Sequence, residues 1–442
     1  MSEPDILIIG GGAAGLLAAR TLARAGRRVL LLEARNRLGG RIDTSPEGGF
    51  SQPVEGGAEF LHGDVPLTRQ LLAEAGIVCH DTAGTTYEVE AGRARPAESF
   101  FDDMPLLLEK LRELPHDVVL NSFLARYFPE PEHRTMREQV RRFAEGYDAA
   151  DASRASTFAL RDEWSGNGAE DSPRPEGGYG RLVEWLAQDA QAAGVTVQLN
   201  TQVTELHWQP GQVRVRCADG QVLQASQVLL TVPLGVLQAQ PGEAGYLHLK
   251  PDLPQHREAA RALGFGPVIK VLLEFDAPIW EQAAPQLAQP LPNLDFLFSD
   301  AAIPTWWSQF PDPRPILTGW LAGPAAHRRR HAPDAELLAE ALDSVAYLLD
   351  TTPEFLREHL RAHRIVNWAA DPLARGAYSY SALHATAHRA ALATPVAGTL
   401  FIAGEGVYQG PYIGTVEAAL VSGATAARQL LHEPTPRPPV TG

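Results

Sequence analysis

Gly10, Gly12 and Gly15 stand at G-x-G-x-x-G spacing directly after the apolar run Ile6 to Ile9. Glycines at these places allow a tight turn, close approach of backbone to a pyrophosphate, and packing of the following helix on the strand. The helix opened by Ala13 and Ala14 offers free N–H groups and a partial positive charge to phosphate. Gly26 ends it, and Val29 to Leu32 reads as a second strand with Glu33 at its end, where a carboxylate can accept hydrogen bonds from ribose hydroxyls. A glycine motif alone is weak evidence. Strand, helix, strand and acid in this order define a dinucleotide site, and either NAD or FAD satisfies it, since both carry an ADP half. A second chemical candidate is Lys270, alone in the apolar run PVIKVLLEF. It is either an edge residue snorkelling to solvent or a buried cation with a purpose. Cys79 and Cys217, the only cysteines, lie far apart and read as reduced thiols, and no spacing suggests a metal site.

The chain that carries these residues has 442 residues, enough for two domains. Hydrophobic content of 45% with 21% charged residues is that of a globular protein, and no apolar run reaches membrane-span length. The net charge of -15 disfavours nucleic acid and mildly favours a cationic substrate. No secretory or long transit segment precedes Ile6, so the cytoplasm is the expected compartment. PLTRQLLAEAG, FDDMPLLLEKLREL and RTMREQVRRFAEGY have helical spacing, so residues 64–175 are expected to form a helical insertion without strands. SGNGAEDSPRPEGGYG reads as a crossing between domains. Next come a helix, a strand, and the period-two runs VRVRC and VLQASQVLLTVP turning at Asp219-Gly220, a β-meander. Residues 241–365 hold the strand-like GFGPVIKVLLEFDAPIW and further helices, and HEPTPRPPVTG reads as a disordered tail over 433–442.

Several of these stretches, in order, resemble the flavin-containing amine oxidases: the monoamine oxidases, polyamine oxidases and lysine-specific demethylases. The carriers are EARNRLGGR, VEGGAEFLHG, GGYGRLVEWL, TVPLGVL, KVLLEFDAPIW, NWAADPLARGAYSYSALHA and LFIAGEGVYQGPYIGTVEAAL. The resemblance implies an α/β fold: a glutathione-reductase-type FAD-binding Rossmann domain, which the meander also favours, interleaved with an α+β substrate-binding domain. The FAD domain would comprise 1–80, 175–240 and 365–432, and the substrate domain 81–174 and 241–364.

It further implies noncovalent FAD, because Ala377 occupies the place of the flavin-linking cysteine of monoamine oxidases. Glu33 would hold ribose, Arg35, Gly40 and Arg41 would lie near the pyrophosphate, and the backbone of Val203 would contact adenine. Gly57, Ala58, Glu59 and Phe60 match a loop passing close to the flavin ring, and Trp368 would pack near it. Glu405 would bond near the ribityl and pyrophosphate portion, and Thr415 and Val416 would present helix N–H groups to the pyrimidine end. For catalysis the resemblance points to Lys270 holding a water against flavin N5, Tyr378 in the aromatic wall that guides the amine, and His62 beside the substrate channel. The other readings are a core tyrosine for Tyr378 and a solvated loop histidine for His62.

The motifs lean toward polyamine oxidases, because Thr415 stands where monoamine oxidases carry a second cage tyrosine. The expected reaction is hydride transfer from a small-molecule amine to flavin N5, hydrolysis of the imine, and reoxidation by O2 to hydrogen peroxide. Related FAD enzymes, such as L-amino-acid oxidases or protoporphyrinogen oxidases, and a noncatalytic flavoprotein are the alternatives. No nucleic-acid, membrane or metal partner is expected.

Overall fold

The computed structural model describes residues 3–45, 48–82, 84–97, 103–165, 172–281 and 290–432. The expected disordered tail lies outside them, as does part of the expected crossing between domains.

Ile6–Ile9, Val29–Leu32, Thr196–Gln198, Gln227–Leu230 and Leu400–Ile402 form one parallel sheet with Ile6–Ile9 at its centre. Its three inner strands are buried throughout, as a parallel sheet covered on both faces requires. Ile6, Ile8 and Leu31 face the helices Ala13–Arg24, Gly180–Ala192 and Val416–His432. Leu7, Ile9, Leu30 and Leu32 face the meander Val203–Gln209, Gln212–Cys217 and Val222–Ala225. A Cβ on Gly423 would stand 2.3 Å from the Ala14 carbonyl oxygen, so a glycine is what lets the last helix rest on the first.

The second sheet has seven strands in the order Leu360–Asn367, Val268–Phe275, Ile316–Ala322, Thr305–Trp307, Leu294–Ser299, Thr85–Glu90 and Arg93–Pro96. The last two correct the expectation that residues 64–175 lack strands. They form a hairpin turning at Ala91 and Gly92, both at positive φ. Only Tyr87 and Val89 of the hairpin are buried, so its place at the sheet edge left too few apolar residues to show a period. The three expected helices are present as Pro66–Glu74, Met104–Arg112 and Arg134–Tyr147; the last two pack with two further helices, Leu120–Tyr127 and Thr157–Trp164, around Phe123, Leu124 and Val140.

All eight residues of Val268–Phe275 are buried. Val271, Leu273 and Phe275 pack toward the helix Asp334–Leu349. Val268, Lys270, Leu272 and Glu274 lie on the other face, where they meet Tyr378, Glu59, Phe50 and Ser51 respectively. Lys270 is thus carried at the middle of an inner strand, 1% exposed, and cannot snorkel. No helix among the described residues is long and apolar enough to cross a membrane.

Candidate active site

The first strand ends at Gly10, whose φ of +113° favours glycine. A Cβ on Gly15 would lie 2.0 Å from the Gly10 carbonyl oxygen, so the helix can rest this close to the turn only without one. Gly12 caps that helix with no side chain, leaving its first-turn N–H groups open to the cavity that Gly10, Gly12, Ala13 and Ala14 line. Glu33 is held rigidly: Oε2 accepts from the Gly11 N–H at 2.7 Å and Oε1 from the Arg35 N–H at 2.8 Å. Arg35 pairs with Asp371 at 2.9 Å, and Arg41 with Glu405 at 2.7 Å. Glu405 also accepts from the Ser379 hydroxyl at 2.6 Å. Gly40 and Val203 line the same cavity. At its far end the helix Val416–His432 begins behind Thr415, whose Oγ1 caps the Ala418 N–H.

The second glycine loop lies across this cradle. A Cβ on Gly57 would fall 1.8 Å from the Arg41 carbonyl oxygen, and the Ala58 N–H donates to that same oxygen. Trp368 braces the loop from behind, donating from Nε1 to the Gly56 carbonyl at 3.0 Å. Glu59 faces the second sheet. Its Oε2 accepts from Lys270 Nζ at 2.7 Å, and its Oε1 accepts from Arg174, Trp307 and Gln309. Burial alone would push this carboxyl up, but the charges of Lys270 and Arg174 outweigh it and hold Glu59 at about 2.

Beyond the loop the cavity becomes aromatic. Tyr378 stacks on Trp320 at 6.3 Å, Trp320 meets Trp307 at 5.8 Å, and Trp307 meets the edge of Phe60 at 5.6 Å. The opposite side is built by Tyr147, stacked on Phe143 and edge-on to His62 at 5.7 Å. The Tyr378 hydroxyl donates to the Tyr147 carbonyl at 2.6 Å, which joins the two walls. Burial lowers the His62 imidazole to about 4, so it is neutral at physiological pH. Asp148 and Glu163 complete this end. Asp148 is buried with the Glu163 carboxyl and the Trp164 indole within hydrogen-bonding reach, whereas Glu163 is open to the cavity it lines. Burial and the neighbouring Glu163 push Asp148 well above the carboxylate range, and burial raises Glu163 to about 7.

Of the residues singled out in the sequence, Lys270, Tyr378, His62, Glu59 and Phe60 come together around one cavity. The glycine turn, Glu33, Arg35, Arg41, Val203, Glu405, Thr415 and Val416 line its other arm. Sequence reasoning missed Trp307, Trp320, Tyr147, Asp148, Glu163 and Arg174. The tryptophans carried a signal, since TWWSQF and TGWLAG place large aromatics on strands.

The cavity, about 2060 Å³, exceeds the ~300–1,000 Å³ of an ordinary ligand pocket and holds a large cofactor together with a substrate. The turn without side chains, the anchored ribose-type carboxylate and the cationic Arg41 suit a dinucleotide. Fold and site together define a dinucleotide-dependent oxidoreductase whose reaction chamber lies between the parallel sheet and the seven-stranded sheet.

The family model of the flavin containing amine oxidoreductases matches residues 13–431, and the chain belongs to that family. Its cofactor is FAD, and its reaction class is oxidation of an amine. Polyamine oxidase 4 of Oryza sativa subsp. japonica is 26% identical over 96% of this chain and 88% of its own length. Polyamine oxidase 2 of Arabidopsis thaliana is 28% identical over 96% and 87%. Lysine-specific histone demethylase 1 homolog 3 of Arabidopsis thaliana is 27% identical over 98% of this chain, which spans only 30% of that protein. Among solved structures, wild-type putrescine oxidase bound to putrescine superposes with a TM-score of 0.79 at 21% identity, over 98% of this chain and 100% of that one. Cyclohexylamine oxidase from Brevibacterium oxydans gives 0.77 at 20%, over 97% and 99%. At such identity these two likenesses establish the fold.

Proposed function

We propose that the chain is an oxidase of diamines or polyamines. The observation that carries this reading is the Asp148–Glu163 carboxyl pair beside the aromatic walls of the reaction chamber. A monoamine has no second charge to satisfy these groups, whereas the distal ammonium of a diamine supplies one. Glu88, Glu90, Glu138 and Asp300 line the same cavity and favour entry of a polycation.

In this reading Glu33 holds the ribose of FAD, and the Gly10–Gly15 turn with Arg41 and Glu405 serves the pyrophosphate and ribityl portion. The backbone of Val203 meets adenine, and the helix behind Thr415 and Val416 faces the flavin. Ala377 offers no thiol for a covalent link. Bound FAD supplies the two-electron acceptor.

Tyr378 and Trp320 form an electron-rich wall that orients the reacting amine, and neutral His62 adds no positive charge against it. Lys270 presents its ammonium from the opposite sheet, where a fixed cation stabilises the negative charge that builds on O2 as it takes up electrons. The amine loses a hydride and a proton to become an imine. Water hydrolyses the imine to an aldehyde and a smaller amine or ammonia, and O2 takes up the two electrons and two protons as hydrogen peroxide.

The test is anaerobic stopped-flow absorbance of the holoprotein against putrescine, spermidine, N-acetylated polyamines, benzylamine, tryptamine and L-amino acids. Rapid bleaching by the diamine and polyamines, reversed by air with peroxide release, is the expected result. Preferential bleaching by benzylamine, tryptamine or an amino acid overturns the diamine assignment.

A further inference from the structure

Lys270 has three N–H groups, and two are committed: one to Glu59 at 2.7 Å and one to the Gly57 carbonyl at 3.2 Å. The third has no hydrogen-bond partner among the described residues; the ammonium stands 5.3 Å over the Trp307 ring, and Lys270 lines the cavity. The ammonium therefore has one defined direction left, and Glu59 determines it. Glu59 is itself immobilised, because Arg174, Trp307 and Gln309 all donate to its other oxygen. Arg174 is anchored in turn by the carbonyls of Ser308 at 2.9 Å and Phe310 at 3.0 Å, with its guanidinium 4.5 Å over the Phe60 ring. A continuous set of contacts thus runs from the loop after Thr305–Trp307 through Arg174 and Glu59 to Lys270.

We propose that Glu59 is a positioning residue for the oxidative half-reaction, aiming the Lys270 ammonium at the reacting end of the cofactor and holding it there. This rests on the reading of Lys270 given above. The physical reason is preorganisation. A lysine on a flexible four-carbon stem delivers a cation to one point only when a partner of opposite charge removes its other orientations. A neutral residue at position 59 would also remove the carboxylate that ion-pairs directly with both Lys270 and Arg174, and their less compensated repulsion would turn the ammonium away. Amine binding rests on the aromatic walls and the Asp148–Glu163 pair, so the effect falls on transfer of two electrons and two protons from reduced cofactor to O2.

The experiment is a double-mutant cycle on the holoenzyme with Glu59→Gln, Lys270→Met and the pair, following each half-reaction separately by stopped flow. The midpoint potential of the bound flavin, FAD content and thermal midpoint are measured alongside. Glu59→Gln alone is expected to slow reoxidation by about 10- to 100-fold, the range for losing one charge-assisted hydrogen bond. It is expected to leave flavin reduction by amine close to wild type. In the Lys270→Met background the same substitution should change neither the reoxidation rate nor the midpoint potential. Glu59→Asp, which keeps the charge with a shorter reach, should restore part of the rate.

Equal slowing in both backgrounds, or a joint fall of both half-reactions with FAD content and thermal midpoint, would make Glu59 a structural brace and overturn the inference. If Lys270→Met itself reoxidises at the wild-type rate, the assignment of Lys270 fails. If Lys270→Met is slow while Glu59→Gln is not, only the positioning role fails.

Discussion

Replacing Glu163 by glutamine keeps the side chain's volume and removes the one member of the carboxyl pair that is open to the cavity. If a distal ammonium is seated there, the substitution removes a charge-assisted hydrogen bond in an enclosed site, about 1.5–3 kcal/mol, or roughly 10- to 150-fold in kcat/KM. The reference is an alkyl monoamine of the same carbon count, which fills the aromatic chamber equally but carries no second charge. Its kcat/KM should change by less than about threefold, because Tyr378, Trp320 and Lys270 are untouched.

The pH dependence sharpens the contrast. Desolvation within the enclosed cavity raises the Glu163 carboxyl to about 7, so in the free enzyme it must shed a proton before pairing with an ammonium. The diamine-to-monoamine ratio of kcat/KM should therefore climb between about pH 6 and 8 in the wild type and be flat in the variant. Stability moves the other way. A carboxyl raised in the folded state contributes stability at low pH that is lost as pH rises from its ordinary 4.5 through about 7, and Glu163→Gln removes the Glu163 share of that slope, leaving the share of Asp148. Steady-state peroxide release with the paired substrates decides the matter. An equal loss for diamine and monoamine, or a ratio independent of pH in the wild type, would rule out Glu163 as the seat of a distal ammonium.

Three further outcomes follow from single distances and environments. Gly57→Ala forces a methyl to within 1.8 Å of a backbone oxygen that cannot yield, so the protein should lose about 3 kcal/mol in chemical denaturation and much of its bound FAD. Glu33→Ala strips acceptors from the Gly11 and Arg35 N–H groups. It should weaken FAD binding by about 10- to 100-fold, read by fluorescence of released flavin, and Glu33→Gln should cost less because one acceptor survives. His62 is lowered to about 4 by burial, so the unfolded chain binds its proton first and stability falls as pH drops from 6.5 toward 4. His62→Asn should shed this acid-side loss, seen by comparing urea midpoints of variant and wild type at pH 7.5 and 4.5.

The glycine turn and the acid of the candidate cofactor cradle were legible because their chemistry is local. Close approach to a phosphate demands glycine at fixed offsets within one turn, and Gly10 to Glu33 lie on consecutive elements of one β-α-β unit. Lys270 was half legible. Periodicity marked its strand, but only the packing of both faces distinguishes a buried cation from an edge lysine, and the loop that caps the lysine itself, Gly57 to Glu59, lies more than 200 residues away in sequence. Asp148 and Glu163 were not legible at all. Each ends an amphipathic helix, where an acidic residue ordinarily reads as a solvated face; only the tertiary fold turns those ends inward. Glu59 shows the same limit. The resemblance placed it in a loop beside the flavin, but its partners Arg174 and Trp307 lie 115 and 248 positions away. No spacing rule joins a carboxylate to donors that distant. The loop sequence could indicate that position 59 lies near the chemistry, but its role depends on which cations the two sheets deliver to it.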